Sequence, residues 1–116
     1  MKDKKYSINS HQHYHAHIYF DKSTLALATQ LCEGVGEIFD VTVGQVHQKL
    51  VGPHTKWNCQ ILFERHQFDE ILAWLDKNRG DLSVLIHAVT GNDLEDHTAN
   101  VYWLGERVNI DVSIFN

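Results

Sequence analysis

Alternating apolar and polar positions predict a two-faced β-strand over residues 13–20. Neighbouring side chains in a strand point to opposite sides, so one side carries tyrosine, alanine, isoleucine and phenylalanine. The other side carries His13, His15, His17 and Tyr19. We expect the apolar side to lie against the core and the imidazoles to face an open side of a sheet.

Two later segments have apolar residues at helical spacing. The first is predicted to begin near Thr24 and to end at Gly34 and Gly36, since glycine favours the left-handed conformation that closes many helices. The second is predicted over residues 66–79 and stops at Gly80. Each helix would bury one apolar stripe.

Three further strands are predicted, at residues 37–47, 57–63 and 82–88. The loop at 48–56 contains the only proline of the chain, next to a glycine, which indicates a defined turn. A last alternation of apolar residues over 108–114 predicts a closing edge strand or an oligomer contact.

The predicted order β-α-β-β-α-β is that of the ferredoxin-like α+β sandwich. In this fold two helices cover one face of an antiparallel sheet, and here a C-terminal strand would extend it. Right-handed crossovers give the strand order 4-1-3-2, with the first strand in the centre. No internal repeat is visible, so residues 1–116 are expected to form one domain.

Composition narrows the class of protein. Hydrophobic residues make up 43% of the chain and the net charge is −5, which predicts a globular protein without the basic face that nucleic acids require. No apolar run approaches the roughly 18–20 residues that span a bilayer, and the polar leader at residues 1–11 has no signal-peptide core. Cys32 and Cys59 fall on apolar faces and are expected to be buried, reduced thiols. We therefore expect a cytoplasmic protein that binds neither nucleic acid nor membranes.

Histidine is the compositional outlier, with nine residues in 116. If Leu85 lies opposite His17 on the neighbouring strand, His87 lies opposite His15, with Cβ atoms about 4.5–5.5 Å apart. Neutral imidazoles at that separation suit Zn, Cu, Fe or Ni. The sequence therefore predicts a metal site formed by His15, His17 and His87.

Two loops are placed to complete this site. The turn that carries His54 can fold back over the open face, and the Asp96–His97 pair follows the fourth strand closely. His11 and His66 are expected to be exposed to solvent. Lys49 and Arg107 are expected to be solvated rather than to contact a substrate carboxylate.

The same residues carry a family resemblance over about residues 14–105. The matching stretches are YHAHIYFD (14–21), HQKLVGPH (47–54), WNCQ (57–60), NRG (78–80), VLIH (84–87) and Asp96–His97. They resemble the DOPA 4,5-dioxygenase family of the small fungal and bacterial type. The resemblance implies a ferredoxin-like fold and extradiol cleavage of a catechol by O₂ at a non-haem Fe(II), with Zn possible in a purified form.

On this reading three histidines leave open positions on the metal for a catechol and O₂. His15, His17 and His87 would hold the metal, while His54 would act as the catalytic acid or base or would replace one of these ligands. His97, oriented by Asp96, would assist from outside the ligand set. A carboxylate of Asp96 or Asp21 remains an alternative third ligand.

Two rival functions differ from this one in whether a ring is cleaved and whether the histidines are needed. A zinc-binding hydrolase or a metal-storage module would use the same imidazoles without ring cleavage. A non-enzymatic assembly module would use the final strand as its interface and need none of them. In each case we expect a homodimer, since sheets of this type often associate.

Overall fold

The computed structural model describes residues 11–50 and 52–115, so the leader predicted at 1–11 lies outside the described residues except for its last position. Within these ranges the chain forms five strands and three helices. They are β1 (His13–Phe20), α1 (Leu25–Ile38), β2 (Thr42–His47), β3 (Trp57–Glu64), α2 (Phe68–Asn78), β4 (Val84–Ala88), α3 (Asp93–Asp96) and β5 (Val101–Leu104). The predicted ferredoxin-like βαββαβ order is confirmed.

The strands form one antiparallel sheet in the order β2-β3-β1-β4-β5. The predicted order 4-1-3-2 is thus correct, and β5 adds an edge strand next to β4. In the register of β1 with β4, His15 lies opposite His87 and His17 lies opposite Leu85. This is the register on which the predicted metal site depends.

The core lies between the sheet and the first two helices. Alternate residues of β1 point into it, and α1 and α2 contribute one apolar stripe each. The fully buried members include Ile18, Ile61, Leu72 and Val84. Because this face takes up the apolar side of β1, the histidine side is left for the opposite face.

The prediction that Gly34 and Gly36 end the first helix is wrong, since α1 continues to Ile38. A Cβ at Gly34 would lie 3.0 Å from the ring of Trp74, and one at Gly36 would lie 3.0 Å from Val43. These glycines therefore allow close packing of α1 on α2 and β2. At Gly80 the prediction is correct, because its φ of 58° follows the end of α2.

Because α1 is longer than predicted, β2 begins at Thr42 rather than at residue 37. Its pairing with β3 is interrupted by an irregularity between Val43 and Val46. Beyond it, His47 lies opposite Asn58. The extra residues of such a bulge change which side of the strand faces the core, and here His47 joins the open face.

The edge strand predicted over residues 108–114 is wrong, because β5 at Val101–Leu104 occupies that edge. The C-terminal segment instead contacts the loop between β2 and β3. The Asp111 N–H donates to the carbonyl of Pro53 at 2.7 Å, and the Thr55 hydroxyl donates to the Asn109 carbonyl. Residues 108–115, which we call the C-terminal strap, therefore lie beside the open face.

The two cysteines also differ from expectation. Cys32 of α1 and Cys59 of β3 are buried, as predicted, but they are paired with each other rather than reduced. Both side chains point into the same helix–sheet interface. None of the helices in the described part of the chain is long and apolar enough to cross a membrane.

Candidate metal centre

Three rows of side chains cross the open face of the sheet. The first row contains His15 and His87, and the second contains His17, Leu85 and Trp103. A third row contains His47, Asn58 and Tyr19. The strand register alone therefore brings ring-bearing side chains of β1, β2, β4 and β5 together.

The predicted histidines converge. One nitrogen from each of His15, His17 and His87 lies within 4.8 Å of the other two. His17 and His87 are buried, with 3% and 4% of their surface exposed, whereas His15 is half-buried. A metal ion can be held by such a group, since ligand nitrogens about 2.1 Å from one ion lie roughly 3–4 Å apart.

Hydrogen bonds fix which nitrogen two of these rings present. Nδ1 of His87 lies 2.8 Å from the carbonyl oxygen of Ala88, which can only accept, so Nδ1 carries the proton. Nδ1 of His17 lies 3.1 Å from Oδ1 of Asn58 and donates in the same way. Each neutral ring is then left with an unprotonated Nε2, which is the form that binds a metal.

The two Nε2 atoms face each other at 3.1 Å. Two lone pairs at this distance repel unless a cation lies between them. Two nitrogens about 2.1 Å from one ion, at roughly a right angle, are separated by about 3.0 Å. The chain's own donor set thus fits a metal with imidazole ligands.

A proton is a poor substitute for that cation. Burial, reinforced by the neighbouring His54 and His87, holds the pKa of His17 well below its ordinary value. Burial also lowers the pKa of His87 to about 3, although the hydrogen bond to Ala88 acts in the opposite direction. At neutral pH both rings are therefore neutral ligands.

His54 has a different hydrogen-bonding pattern. Its Nδ1 lies 2.6 Å from the phenolic oxygen of Tyr19, and burial raises the pKa of that phenol, which keeps its proton. Among the described residues this Nδ1 is the only hydrogen-bond partner of the Tyr19 hydroxyl, so the O–H donates to it and, in the neutral ring, Nε2 of His54 carries the proton. Its ring centroid lies 4.0 Å from that of His17. His54 is thus presented as a hydrogen-bond donor beside the metal ligands.

His97 lies on the other side of the cluster, with its ring centroid 4.2 Å from that of His87 and 6.2 Å from that of His54. Its Nδ1 donates to the Asp93 carbonyl at 2.7 Å, so in the neutral ring Nε2 is the nitrogen without a proton. The prediction that Asp96 orients His97 is therefore wrong. The backbone of the first turn of α3 does so.

The Asp96 carboxylate is held elsewhere. Burial raises its pKa, but hydrogen bonds from the Thr90 backbone and hydroxyl and from Asn100 outweigh burial and lower it. Asp21 caps the turn after β1 and is exposed. Neither carboxylate belongs to the ligand group, so the alternative of a carboxylate as third ligand finds no support in the geometry.

A cavity of about 330 Å³ opens over the cluster. Such a volume is at the lower end for small-molecule sites and accommodates an aromatic ring. Its wall contains the histidines at 15, 17, 47, 54, 87 and 97 together with Asn58, Gln60, Pro53 and Phe115. Phe115 of the C-terminal strap stacks near His97, with ring centroids 4.8 Å apart.

The remaining histidines lie outside this group. His13 and His66 are exposed, and His11 is partly buried next to Tyr14. Lys49 and Arg107 are exposed, as expected, and neither lines the cavity over the histidines.

Sequence reasoning missed Asn58, Tyr19 and Phe115 as parts of this site. The first two share a face with the predicted ligands in strands that were correctly assigned, so their positions were available from strand alternation. For Phe115 the sequence carries no such signal, because an irregular segment brings it there.

Comparisons with known proteins identify relatives of this chain. A family model described as the Dopa 4,5-dioxygenase family matches residues 14–114. A DOPA 4,5-dioxygenase from Amanita muscaria is 31% identical over 101 residues, covering 79% of this chain and 44% of the relative. An uncharacterised 21.2 kDa protein from Botryotinia fuckeliana is 30% identical over 110 residues, covering 84% of this chain and 60% of that protein. The chain thus spans about half the length of these two fungal relatives.

A solved structure is also similar. The crystal structure of a candidate dioxygenase from Nostoc punctiforme superposes with a TM-score of 0.85 and is 36% identical, with 90% of each chain covered. The chain belongs to the Dopa 4,5-dioxygenase family.

Proposed function

We propose that this protein is an extradiol dioxygenase that cleaves the ring of a catechol with O₂ at a non-haem Fe(II). His15, His17 and His87 would hold the metal. The family and the structural neighbour support an oxygenase, and the name of the Amanita relative makes DOPA the first catechol to test.

One observation carries this proposal. The Nε2 atoms of His17 and His87 face each other at 3.1 Å, and acceptors at both Nδ1 atoms leave these Nε2 atoms unprotonated. His15 contributes a third nitrogen within 4.8 Å. Three neutral ligands leave open positions on a metal, and bound Fe(II) would supply the redox chemistry that lets O₂ react with an aromatic ring.

Two histidines beside the ligands have different roles in proton transfer, one as a base and one as an acid. His97 presents an unprotonated Nε2 and is placed to accept a proton from a catechol hydroxyl. His54 presents a protonated Nε2, with Tyr19 behind it as a donor, and is placed to deliver a proton to a developing oxygen anion. A base and an acid thus line the same cavity, with ring centroids 6.2 Å apart.

The shape of the cavity favours a planar ring. Phe115 and the imidazole of His97 both line the cavity, with ring centroids 4.8 Å apart, and aromatic side chains pack favourably against a planar ring. The polar end near Asn58 and His47 leaves room for a substituent on the ring.

The test is anaerobic loading with Fe(II), followed by addition of a catechol panel that includes DOPA and then O₂. We expect about one iron per chain, consumption of one O₂ per catechol and a yellow ring-fission product. His87→Ala is expected to lose the iron and the activity. His66→Ala, which removes an exposed imidazole outside the site, is the matched control and should keep both.

An iron-loaded protein that cleaves no catechol in the panel would contradict the proposed reaction. A protein that binds no iron, or binds it equally well without His87, would contradict the proposed site. Hydrolysis by a zinc-loaded form in place of ring cleavage would identify the rival hydrolase.

A further inference from the structure

The Asn58 side chain is buried, with 1% of its surface exposed, and only one of its two polar atoms is hydrogen-bonded to the proposed metal site. Its Oδ1 accepts the hydrogen bond from Nδ1 of His17. Among the described residues its Nδ2 has no hydrogen-bond partner. A buried donor without a partner is unfavourable, and such a group in a native protein requires an explanation.

The two orientations of this amide select opposite forms of His17. With Oδ1 toward the ring, Nδ1 of His17 carries the proton and Nε2 is free to bind a metal. With the amide rotated by 180°, Nδ2 donates to an unprotonated Nδ1, and the ring proton moves to Nε2. No other described side chain bonds to Nδ1 of His17, so Asn58 sets the form of the ring at this nitrogen, while His87 is its partner at Nε2.

The distance between the rings of His17 and His87 suits both forms. At 3.1 Å, a protonated Nε2 of His17 makes an ordinary hydrogen bond to the unprotonated Nε2 of His87. The same distance is close to the separation of about 3.0 Å expected for two ligands at a right angle on one metal. The site can therefore exchange a hydrogen bond for a metal without moving the strands.

We propose that Asn58 is a positioning residue whose amide rotates with metal occupancy and sets the binding form of His17. The structure shows the metal-binding orientation, with Oδ1 toward His17. Without metal the amide turns, so that Nδ2 faces His17 and the two histidines share a hydrogen bond. When a metal binds, the Nε2 proton of His17 leaves and Nδ1 gains one, so the ring stays neutral while Oδ1 turns to accept. This inference rests on the proposed metal site and goes beyond it by naming the residue that prepares it.

The location of Asn58 supports this role over a purely structural one. It lies opposite Tyr19 on β1 and opposite His47 on β2, on the same face as the ligands, and it lines the cavity. Outer hydrogen-bond partners of metal-bound histidines fix the ring and typically change metal affinity about 10–100-fold when removed. Asn58 occupies that position for His17.

The direct test follows the ring nitrogens of His17 by ¹⁵N NMR in the unaltered protein while Zn(II), a diamagnetic metal, is added. We expect the proton on Nε2 in the metal-free protein and on Nδ1 in the zinc-loaded protein. A His17 that keeps its proton on Nδ1 in both states would overturn the proposed rotation.

Two variants test the role in affinity, with Zn(II) binding as the measurement. Asn58→Leu removes the hydrogen bond and should weaken binding about 10–100-fold, whereas Asn58→Asp retains an acceptor and should bind at least as tightly as the unaltered protein. Asn78→Leu is the matched control, because Asn78 is exposed at the end of α2 and does not line the cavity, and its zinc affinity should change less than threefold.

The outcomes separate this inference from the metal site itself. An unaltered protein that binds no Zn(II) or Fe(II) would overturn both. Normal zinc binding by Asn58→Leu, or equal losses in the Leu and Asp variants, would overturn the role of Asn58 alone. Should Asn58→Leu fail to fold, the NMR result on the unaltered protein decides.

Discussion

The two faces of the sheet are built in different ways from the same strands. On the helix-covered face, Ile18 and Ile61 pack against regular, amphipathic helices and have no exposed surface. On the opposite face, the histidines are covered by short segments outside the sheet: the turn at 52–54, the short helix α3 and the C-terminal strap. One face stabilises the fold, and the other holds reactive groups in place.

This difference shows how a small domain keeps stability and chemistry apart. Burying apolar side chains contributes most of the folding free energy. Burying neutral imidazoles opposes folding at low pH, when they would otherwise be protonated. Because each strand alternates sides, substitutions on one face are expected to leave the function of the other largely intact.

The largest effect should come from His54 on the open face. His54→Ala removes the donor beside the ligands and should lower the turnover of an iron-loaded enzyme by about 10²–10⁴-fold, the usual contribution of a general acid. Iron content and thermal stability should stay near those of the unaltered protein. Stopped-flow measurement of catechol cleavage checks this, and unchanged turnover would remove His54 from the chemistry.

A matching substitution on the helix-covered face should do the reverse. Ile61→Ala leaves a cavity beside α1 and α2 and should lower the free energy of unfolding by about 2–5 kcal/mol. The folded fraction should bind metal with unchanged affinity. Urea denaturation and a metal titration at low temperature measure the two quantities, and a shift in affinity with little loss of stability would contradict the separation of the faces.

The metal-free protein should lose stability in mild acid. The pKa values of His17, His54 and His87 are all lowered in the folded state, to about 4 for His54 and about 3 for His87. The unfolded chain, with histidine pKa values near 6.5, therefore binds more protons below that pH, so stability is complete above about pH 6.5 and falls as the pH drops toward 4.

His87 alone should account for about 2 kcal/mol between pH 7 and pH 5. Denaturation midpoints of the metal-free protein across this range measure the loss. A flat profile would mean that these rings are not buried as neutral groups.

The smallest effect is expected at Phe115 of the C-terminal strap. Phe115→Ala removes the ring that stacks near His97, and the strap lies outside the main core, so stability should change by no more than about 0.5 kcal/mol. The KM for a catechol should rise by roughly three- to tenfold, the equivalent of one aromatic contact. An unchanged KM would place the substrate away from the strap.

The features that the sequence predicts correctly depend on the alternation of side chains in strands and on the helical spacing of apolar residues. The side of β1 that carries His15 and His17, and the pairing of His15 with His87, depend only on strand register, and the structure confirms both. Helical periodicity likewise identifies the buried stripe of α2. These features are local or require one correct pairing.

What the sequence does not predict depends on long-range contacts. Gly34 and Gly36 resemble helix ends until Trp74 and Val43 are known to pack against them. The apolar alternation over residues 108–114 resembles a strand until β5 occupies the edge. The same holds for His97, whose orientation comes from the Asp93 carbonyl rather than from the neighbouring carboxylate.

The central claim is that imidazoles from β1 and β4 hold one metal ion on the open face. Anaerobic soaking of crystals with Fe(II), followed by diffraction at the iron absorption edge, tests it directly. We predict one anomalous peak per chain, within about 2.2 Å of a nitrogen of each of His15, His17 and His87. An ordered iron bound by other residues, or the absence of any peak at saturating Fe(II), would contradict it.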